Sequence, residues 1–104
     1  MISEKPSNLT MDETDWVIVR DILLNLIPKM QVLAFGSRVT GRAKPFSDLD
    51  LVVMTQKPLD IKLHGALLDA FSTSRLPFRV DIIDWASTDA PFRTQIQQSA
   101  VRIL

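Results

Sequence analysis

The stretch Gly36-Ser37-Arg38-Val39-Thr40-Gly41-Arg42-Ala43-Lys44-Pro45-Phe46-Ser47-Asp48-Leu49-Asp50-Leu51 joins two apolar segments of this 104-residue chain. Its Gly-Ser pair directly follows the apolar run that ends at Phe35, where a tight turn can aim backbone N–H groups and a hydroxyl outward. A turn of this kind that opens a helix suits phosphate oxygens. The pattern therefore predicts a strand, a phosphate-binding turn with a short helical start, a loop and a second strand, in that order.

Two carboxylates, Asp48 and Asp50, open the second apolar segment. Residues two apart on a strand point to the same face, so the two side chains are held side by side. Like charges at that spacing raise each other's proton affinity, and a divalent cation removes the conflict. Oxygen ligands suit Mg²⁺, which keeps several waters and takes substrate phosphates as further ligands. The sequence therefore predicts a magnesium site at the start of this strand.

A third carboxylate is needed to hold a second metal ion and to help activate an incoming hydroxyl. Asp81 interrupts the apolar run Val80-Asp81-Ile82-Ile83, where an unpaired buried charge would be costly. If this run is a strand beside the first carboxylate strand, Asp81 completes the cluster. Asp84 is the alternative, but it has the opposite strand parity and lies at the strand end, where solvent exposure or a capping role is favoured.

Apolar residues elsewhere recur at helical or strand spacing. Thr10 and Glu13 stand at capping-box spacing before a helix that Pro28 ends. We predict strands over 31–35, 48–54 and 78–83, and helices over about 10–27, 59–72 and 88–98, with 100–104 either continuing the last helix or forming a short edge strand. This order implies an α/β fold, in which helices flank a small mixed β-sheet.

The charge balance, the cysteine content and the lengths of the apolar stretches exclude several classes of protein. Twelve basic residues balance twelve acidic ones, which disfavours a long nucleic-acid partner because phosphate neutralisation drives such binding. The chain has no Cys, so disulfides and thiolate zinc sites are excluded. No apolar stretch is long enough to span a membrane, and residues 1–11 lack the apolar core of a signal peptide. We interpret residues 1–104 as one cytoplasmic domain, with 1–11 as a flexible arm.

Together, Gly36-Ser37, Ser47-Asp48-Leu49-Asp50 and Val80-Asp81 resemble the polymerase-β-like nucleotidyltransferase superfamily, and more closely its minimal, MNT-type members. The resemblance extends over about residues 14–104. It implies the polymerase-β-like fold, a triphosphate gripped by Gly36 and Ser37, and two Mg²⁺ ions. The implied metal ligands and catalytic residues are Asp48, Asp50 and Asp81, with Asp81 as the base. Arg38, Arg42 and Ser47 match the family's loop, and we expect them to help bind the phosphates.

MNT-type proteins are commonly encoded beside a HEPN-type helical partner in prokaryotic toxin–antitoxin pairs. The resemblance therefore implies an antitoxin that uses ATP to add AMP to a hydroxyl of its HEPN-domain toxin, in a hetero-oligomer with it. Two other hypotheses stay open. One is a non-catalytic module that neutralises its partner by contact alone. The other is a transferase acting on RNA ends or small molecules, which neutral charge and the lack of a second, substrate-holding domain make less favourable.

Overall fold

The computed structural model describes residues 4–104. Its α-helices and β-strands in chain order are α1 (Glu13–Leu26), β1 (Val32–Phe35), α2 (Ser37–Thr40), β2 (Leu49–Val53), α3 (Ile61–Ser72), β3 (Val80–Asp84), α4 (Ala90–Ser99) and β4 (Val101–Arg102), and a single 3₁₀ turn, Trp85–Ser87, follows β3. The expected strands and helices are present, with ends shifted by a few residues. The predicted capping box is wrong, because α1 begins at Glu13 with Asp12 at its N-cap and no side-chain hydrogen bond there.

A four-stranded mixed sheet in the order β3-β2-β1-β4 forms the centre of the fold. β2 runs parallel to β3, while β1 is antiparallel to both β2 and β4. The pairing of Leu33 with Arg102 decides between the two expectations for the C-terminal residues in favour of an edge strand. The predicted α/β class with a small mixed sheet is confirmed.

Helices α1 and α3 pack against one another over one face of the sheet, where most of the core lies. Trp16 and Leu23 of α1 are 1% exposed, as is Leu51 of β2. Burying each of these large side chains contributes about 1.5–3 kcal/mol relative to leaving it in water. On the opposite face, the ring of Phe35 meets Phe92 of α4 edge to face at 5.8 Å. The carboxylate positions of β2 and β3 point to this second face.

The N-terminal segment differs from the loose arm expected over 1–11. Leu9 is 1% exposed and belongs to the core, and the Thr10 amide donates to the Arg38 carbonyl at 2.7 Å. Burial of Leu9 and hydrogen bonds between Thr10 and Arg38 thus dock this segment against the fold. Residues 1–3 of the expected arm lie outside the described residues. None of the helices within residues 4–104 is both long and apolar enough to cross a membrane.

Candidate active site

Gly36 brings the backbone between β1 and α2 against a carboxylate of β2. Its φ of 83° and ψ of −156° lie in a region that residues with a side chain rarely adopt. A Cβ at this position would collide with Oδ2 of Asp50. Ser37 follows as the first residue of α2. The Gly-Ser turn and Asp50 are therefore fitted to each other, and a side chain at Gly36 would separate them.

The structure brings the three expected carboxylates to one end of the β2–β3 pair. Asp50 and Asp81 are direct partners in the parallel register, and Asp48 lies just before β2. Asp50 is half-buried, whereas the side chains of Asp48 and Asp81 are 43% and 51% exposed. Asp81 was expected to be buried, but its side chain is exposed, because β3 is an edge strand and leaves it open to water. Its placement beside Asp50 agrees with the prediction.

Sequence reasoning missed Arg79, which lies between two of these carboxylates. One guanidinium nitrogen, Nη2, is 3.4 Å from Oδ2 of Asp48 and 3.5 Å from Oδ1 of Asp81. Arg79 stands two residues before Asp81, so strand parity alone would have placed it on the same face. Its side chain is 76% exposed, which leaves it free to move aside when a stronger cation arrives.

Electrostatics at Asp50 show why a cation suits this cluster. Burial raises the pKa of the Asp50 carboxyl, and the carboxylates of Asp81 and Asp48 raise it further, while Arg79 opposes them. A divalent cation would relieve both the burial cost and the repulsion. Within residues 4–104, no group of three or more His, Cys, Asp or Glu side chains is arranged to hold a metal ion, so Asp48, Asp50 and Asp81 lie near one another without forming a ready metal site. Mg²⁺ sites commonly use one or two protein carboxylates together with water and substrate phosphates.

A cleft of about 620 Å³ opens beside the Gly-Ser turn. Gly36, Ser37, Arg42 and Asp50 line it together with Phe35, Thr40 and three polar residues of α4, Gln95, Gln98 and Ser99. Its volume is in the range of small-molecule and cofactor sites. Arg42 is exposed at its rim, where its charge can reach a bound anion. The polar side chains of α4 are a part of this cleft that the sequence did not point to.

A second cleft, of about 650 Å³, lies on the β3 side of the carboxylates. Asp81 and Arg79 line it with residues from the end of α3 and the following loop, including Leu68, Ser72 and Leu76. One cleft therefore contains Asp50 and the other contains its register partner. Two molecules could approach the same pair of carboxylates from different sides.

Two of the expected phosphate ligands are placed otherwise. Arg38 is 3% exposed, and its guanidinium donates to backbone carbonyls of the N-terminal segment and the 41–48 loop. The expectation that Arg38 binds phosphate does not fit this placement. The Ser47 hydroxyl oxygen accepts from the Lys44 amide at 2.8 Å, so it stabilises a turn within the loop. A single sequence cannot distinguish a basic loop residue that faces a ligand from one that holds the loop.

Asp84, the weaker candidate for the third carboxylate, is 7% exposed, and both of its carboxylate oxygens accept hydrogen bonds from backbone amides. Oδ1 accepts from the Ser87 amide at 2.8 Å and Oδ2 from the Leu59 amide at 3.2 Å. Burial raises the pKa of Asp84, but hydrogen bonds from the Ser87 side chain and from the Leu59 and Ser87 amides, together with the nearby His64, outweigh it and hold the pKa below its usual range. Asp84 is the N-cap of the single helical turn Trp85–Ser87, so of the two expected roles, solvent exposure and capping, the structure shows capping. His64 is likewise satisfied, with Nε2 2.9 Å from the Ile82 carbonyl oxygen.

Several known proteins are similar to this chain in sequence or in fold. Residues 21–104 match the family model described as "Polymerase beta, Nucleotidyltransferase". The "Probable protein adenylyltransferase MntA" of Haemophilus influenzae is 45% identical over 97 residues, which cover 93% of this chain and 85% of that protein.

Solved structures share the fold. One, described as a crystal structure of a toxin–antitoxin with AMP-PNP, is 24% identical with a TM-score of 0.69 and covers 85% of this chain and 71% of its own. Another contains a tri-AMPylated HEPN toxin of Shewanella oneidensis in complex with an MNT antitoxin. It is 23% identical with a TM-score of 0.63, and covers 88% of this chain and 71% of its own. At these identities the likeness establishes the polymerase-β-like fold alone.

Proposed function

Because this chain belongs to the polymerase beta nucleotidyltransferase family, we propose that it is a cytoplasmic antitoxin that transfers AMP from ATP to a hydroxyl of a HEPN-domain toxin. It would form a hetero-oligomer with that toxin. The placement of Asp50 carries the proposal, since it packs against the Gly-Ser turn and is the register partner of Asp81. The name of the Haemophilus relative supports a protein acceptor, and the HEPN–MNT complexes support the kind of partner.

The nucleotide would occupy the cleft beside Gly36. The turn offers backbone N–H groups and the Ser37 hydroxyl to phosphate oxygens. Arg42 at the rim would add charge-assisted hydrogen bonds. Gln95 and Gln98 line the α4 wall of the same cleft and can hydrogen-bond with polar groups of the nucleoside.

Asp48, Asp50 and Asp81 would hold two Mg²⁺ ions, which supply charge neutralisation on the phosphates and a lower pKa for the attacking oxygen. The acceptor would enter the second cleft, where Asp81 lies. Its hydroxyl oxygen bonds to the α-phosphorus, the bond from that phosphorus to the bridging oxygen breaks, and pyrophosphate leaves with the electron pair. Asp81 takes the hydroxyl proton. Positioning and charge stabilisation account for most of the catalysis in transfers of this kind.

Intact-mass spectrometry of the chain with Mg²⁺, ATP and its HEPN partner tests this function. We expect the partner to gain the mass of one or more AMP units. Asp81→Asn should abolish the gain while the fold persists, because it removes a base and metal ligand from an exposed position. Asp84→Asn is the matched control and should retain transfer well below its melting temperature. Transfer by Asp81→Asn at the wild-type rate would refute the assignment.

Co-expression separates modification from inhibition by contact. The double variant Asp48→Asn/Asp50→Asn should fail to protect cells from the toxin, although it can still form the complex. If it protects as well as the wild type, and neither adds mass to the toxin, this chain neutralises its partner by binding alone.

A further inference from the structure

Arg38 is the most completely engaged charged side chain near the site. Its Nε donates to the Ser47 carbonyl at 2.9 Å, Nη1 to the Thr10 carbonyl at 2.9 Å and Nη2 to the Pro45 carbonyl at 3.1 Å. The guanidinium carbon also lies 3.9 Å from the centre of the Phe78 ring. One buried side chain thus joins the N-terminal segment, the loop before β2 and the approach to β3.

Two of these segments lead directly to a carboxylate of the candidate site, and Arg38 itself adjoins the Gly-Ser turn. Arg38 itself follows Ser37, the Ser47 carbonyl belongs to the peptide unit before Asp48, and Phe78 lies three residues before Asp81. Other hydrogen bonds also support the 41–48 loop: the Lys44 amide donates to the Ser47 hydroxyl, the Ser47 amide to the Lys44 carbonyl and the Arg42 amide to the Ser37 carbonyl. Arg38 adds the side-chain link from α2 to the carbonyls of residues 45 and 47, so it contributes to the position of Asp48 relative to the Gly-Ser turn.

We propose that Arg38 is a positioning residue, which fixes the 41–48 loop and so holds Asp48 in place for metal binding without touching the nucleotide. The N-terminal segment takes part, since the Thr10 carbonyl accepts one of the three hydrogen bonds. This role does not depend on which acceptor the protein modifies. It requires only that Asp48 is a metal ligand.

Lysine cannot replace arginine in this arrangement. The guanidinium presents its donors in a rigid, planar fork and stacks on an aromatic ring, whereas an ammonium is a point charge on a flexible stem. Arg38→Lys keeps the charge but cannot satisfy three carbonyls in different directions while it covers Phe78. If the charge alone mattered, lysine would suffice.

Arg93 of α4 is a matched control, because its guanidinium contacts residues 85 and 88, which follow β3. Its Nε donates to the Thr88 hydroxyl and its Nη2 to the Trp85 carbonyl, both at 2.9 Å, and its guanidinium lies 4.8 Å from the Trp85 ring centre. Arg93→Lys breaks the same kinds of contact in another part of the fold. Any effect common to both variants is a general loss of stability.

Hydrogen exchange and metal titration test the proposal together. For Arg38→Lys we expect peptides covering 42–49 to exchange at least roughly tenfold faster and Mg²⁺ to bind at least roughly tenfold more weakly, the loss of one hydrogen bond from a charged group. Binding of ATP in EDTA should stay unchanged. Arg93→Lys should change none of the three.

Two results with Arg38→Lys would overturn the proposal. One is loop exchange in Arg38→Lys equal to that in Arg93→Lys, and the other is loss of ATP binding in EDTA, which would make Arg38 a phosphate ligand. If Arg38→Lys does not fold, Phe78→Leu keeps the guanidinium and an apolar side chain but removes the ring face. Phe78→Leu should also speed up amide exchange in the 41–48 loop. Unchanged exchange in this variant would overturn the proposal. If the wild type binds no Mg²⁺, the proposed function fails, while loop exchange still tests Arg38.

Discussion

Gly36→Ala should remove nucleotide transfer by moving one carboxylate. The backbone there has a φ of 83° and a ψ of −156°, a conformation that costs a residue with a side chain about 1–3 kcal/mol. The added methyl would also strike Oδ2 of Asp50. The carboxylate must then rotate or the turn must open, and either change separates the proposed phosphate-binding turn from the proposed metal ligand Asp50. Since a misplacement of ~1 Å can cost about 100-fold in rate, we expect a loss of at least that size.

Gly41→Ala is the control for backbone strain. Gly41 has a φ of 77° and a ψ of 14°, which is the left-handed helical region, and alanine there costs about 1–2 kcal/mol. A Cβ added at Gly41 would meet no atom of residues 4–104 within 4 Å. Each kcal/mol lowers the melting temperature of a domain this size by about 4–8 °C, so both variants should melt several degrees below the wild type.

Binding and activity then separate the two variants. Saturation with Mg²⁺ and ATP at 100 times Kd adds about 2.7 kcal/mol of stability to a competent site. Gly41→Ala should keep that thermal shift and transfer AMP at a near wild-type rate, whereas Gly36→Ala should lose both. If Gly36→Ala shifts with Mg²⁺–ATP and transfers as fast as Gly41→Ala, the fit between the turn and Asp50 is not what makes the site work.

Three further predictions concern stability and charge. Asp84→Asn should destabilise the fold by about 1–3 kcal/mol, because an amide has one acceptor oxygen for the Ser87 and Leu59 amides. Since the folded pKa of Asp84 is lowered, its stabilisation is full above the unfolded value near 3.8 and is lost as the pH falls through the folded pKa. Chemical denaturation from pH 6 to 2 should show the wild type approaching the variant, and parallel curves would contradict this. Gly65→Ala should raise stability by about 0.5–1 kcal/mol, since Gly65 lies inside α3 and its Cβ would meet open space in the described structure; a lower melting temperature would show an unseen contact. Arg79→Gln removes a tethered cation from two carboxylates, so Mg²⁺ without nucleotide should bind up to about fivefold more tightly, the equivalent of a surface ion pair of up to ~1 kcal/mol; weaker binding in a thermal-shift titration would mean that Arg79 assists the metal site.

Much of the site could be predicted because its information is local. Gly36-Ser37 follows an apolar run, and five consecutive positions are enough to recognise that Asp48 and Asp50 alternate with apolar residues. Strand parity placed Asp81 with them and separated it from Asp84. These predictions agree with the geometry because side-chain direction on a strand depends only on the count of residues along it.

Arg38, Ser47 and the N-terminal segment could not be predicted in this way. Arg38 looks like a loop cation, and its partners Thr10 and Phe78 stand 28 and 40 residues away in sequence. Leu9 is one apolar residue in a polar stretch and carries no periodicity, yet the core buries it. Whether such a residue faces solvent or the interior depends on segments that meet only after the chain has folded.

The sequence by itself thus determined the order of strands and helices, the fold class and which carboxylates lie together in the candidate site, because hydrophobic period and strand parity act over a few residues. The tertiary structure alone decided that Arg38 holds the loop, that Arg79 lies between Asp48 and Asp81, and that the last residues form an edge strand. Each of these depends on long-range packing. A buried guanidinium must donate hydrogen bonds to whichever acceptors the fold places near it. A local sequence pattern does not indicate which distant carbonyls those are.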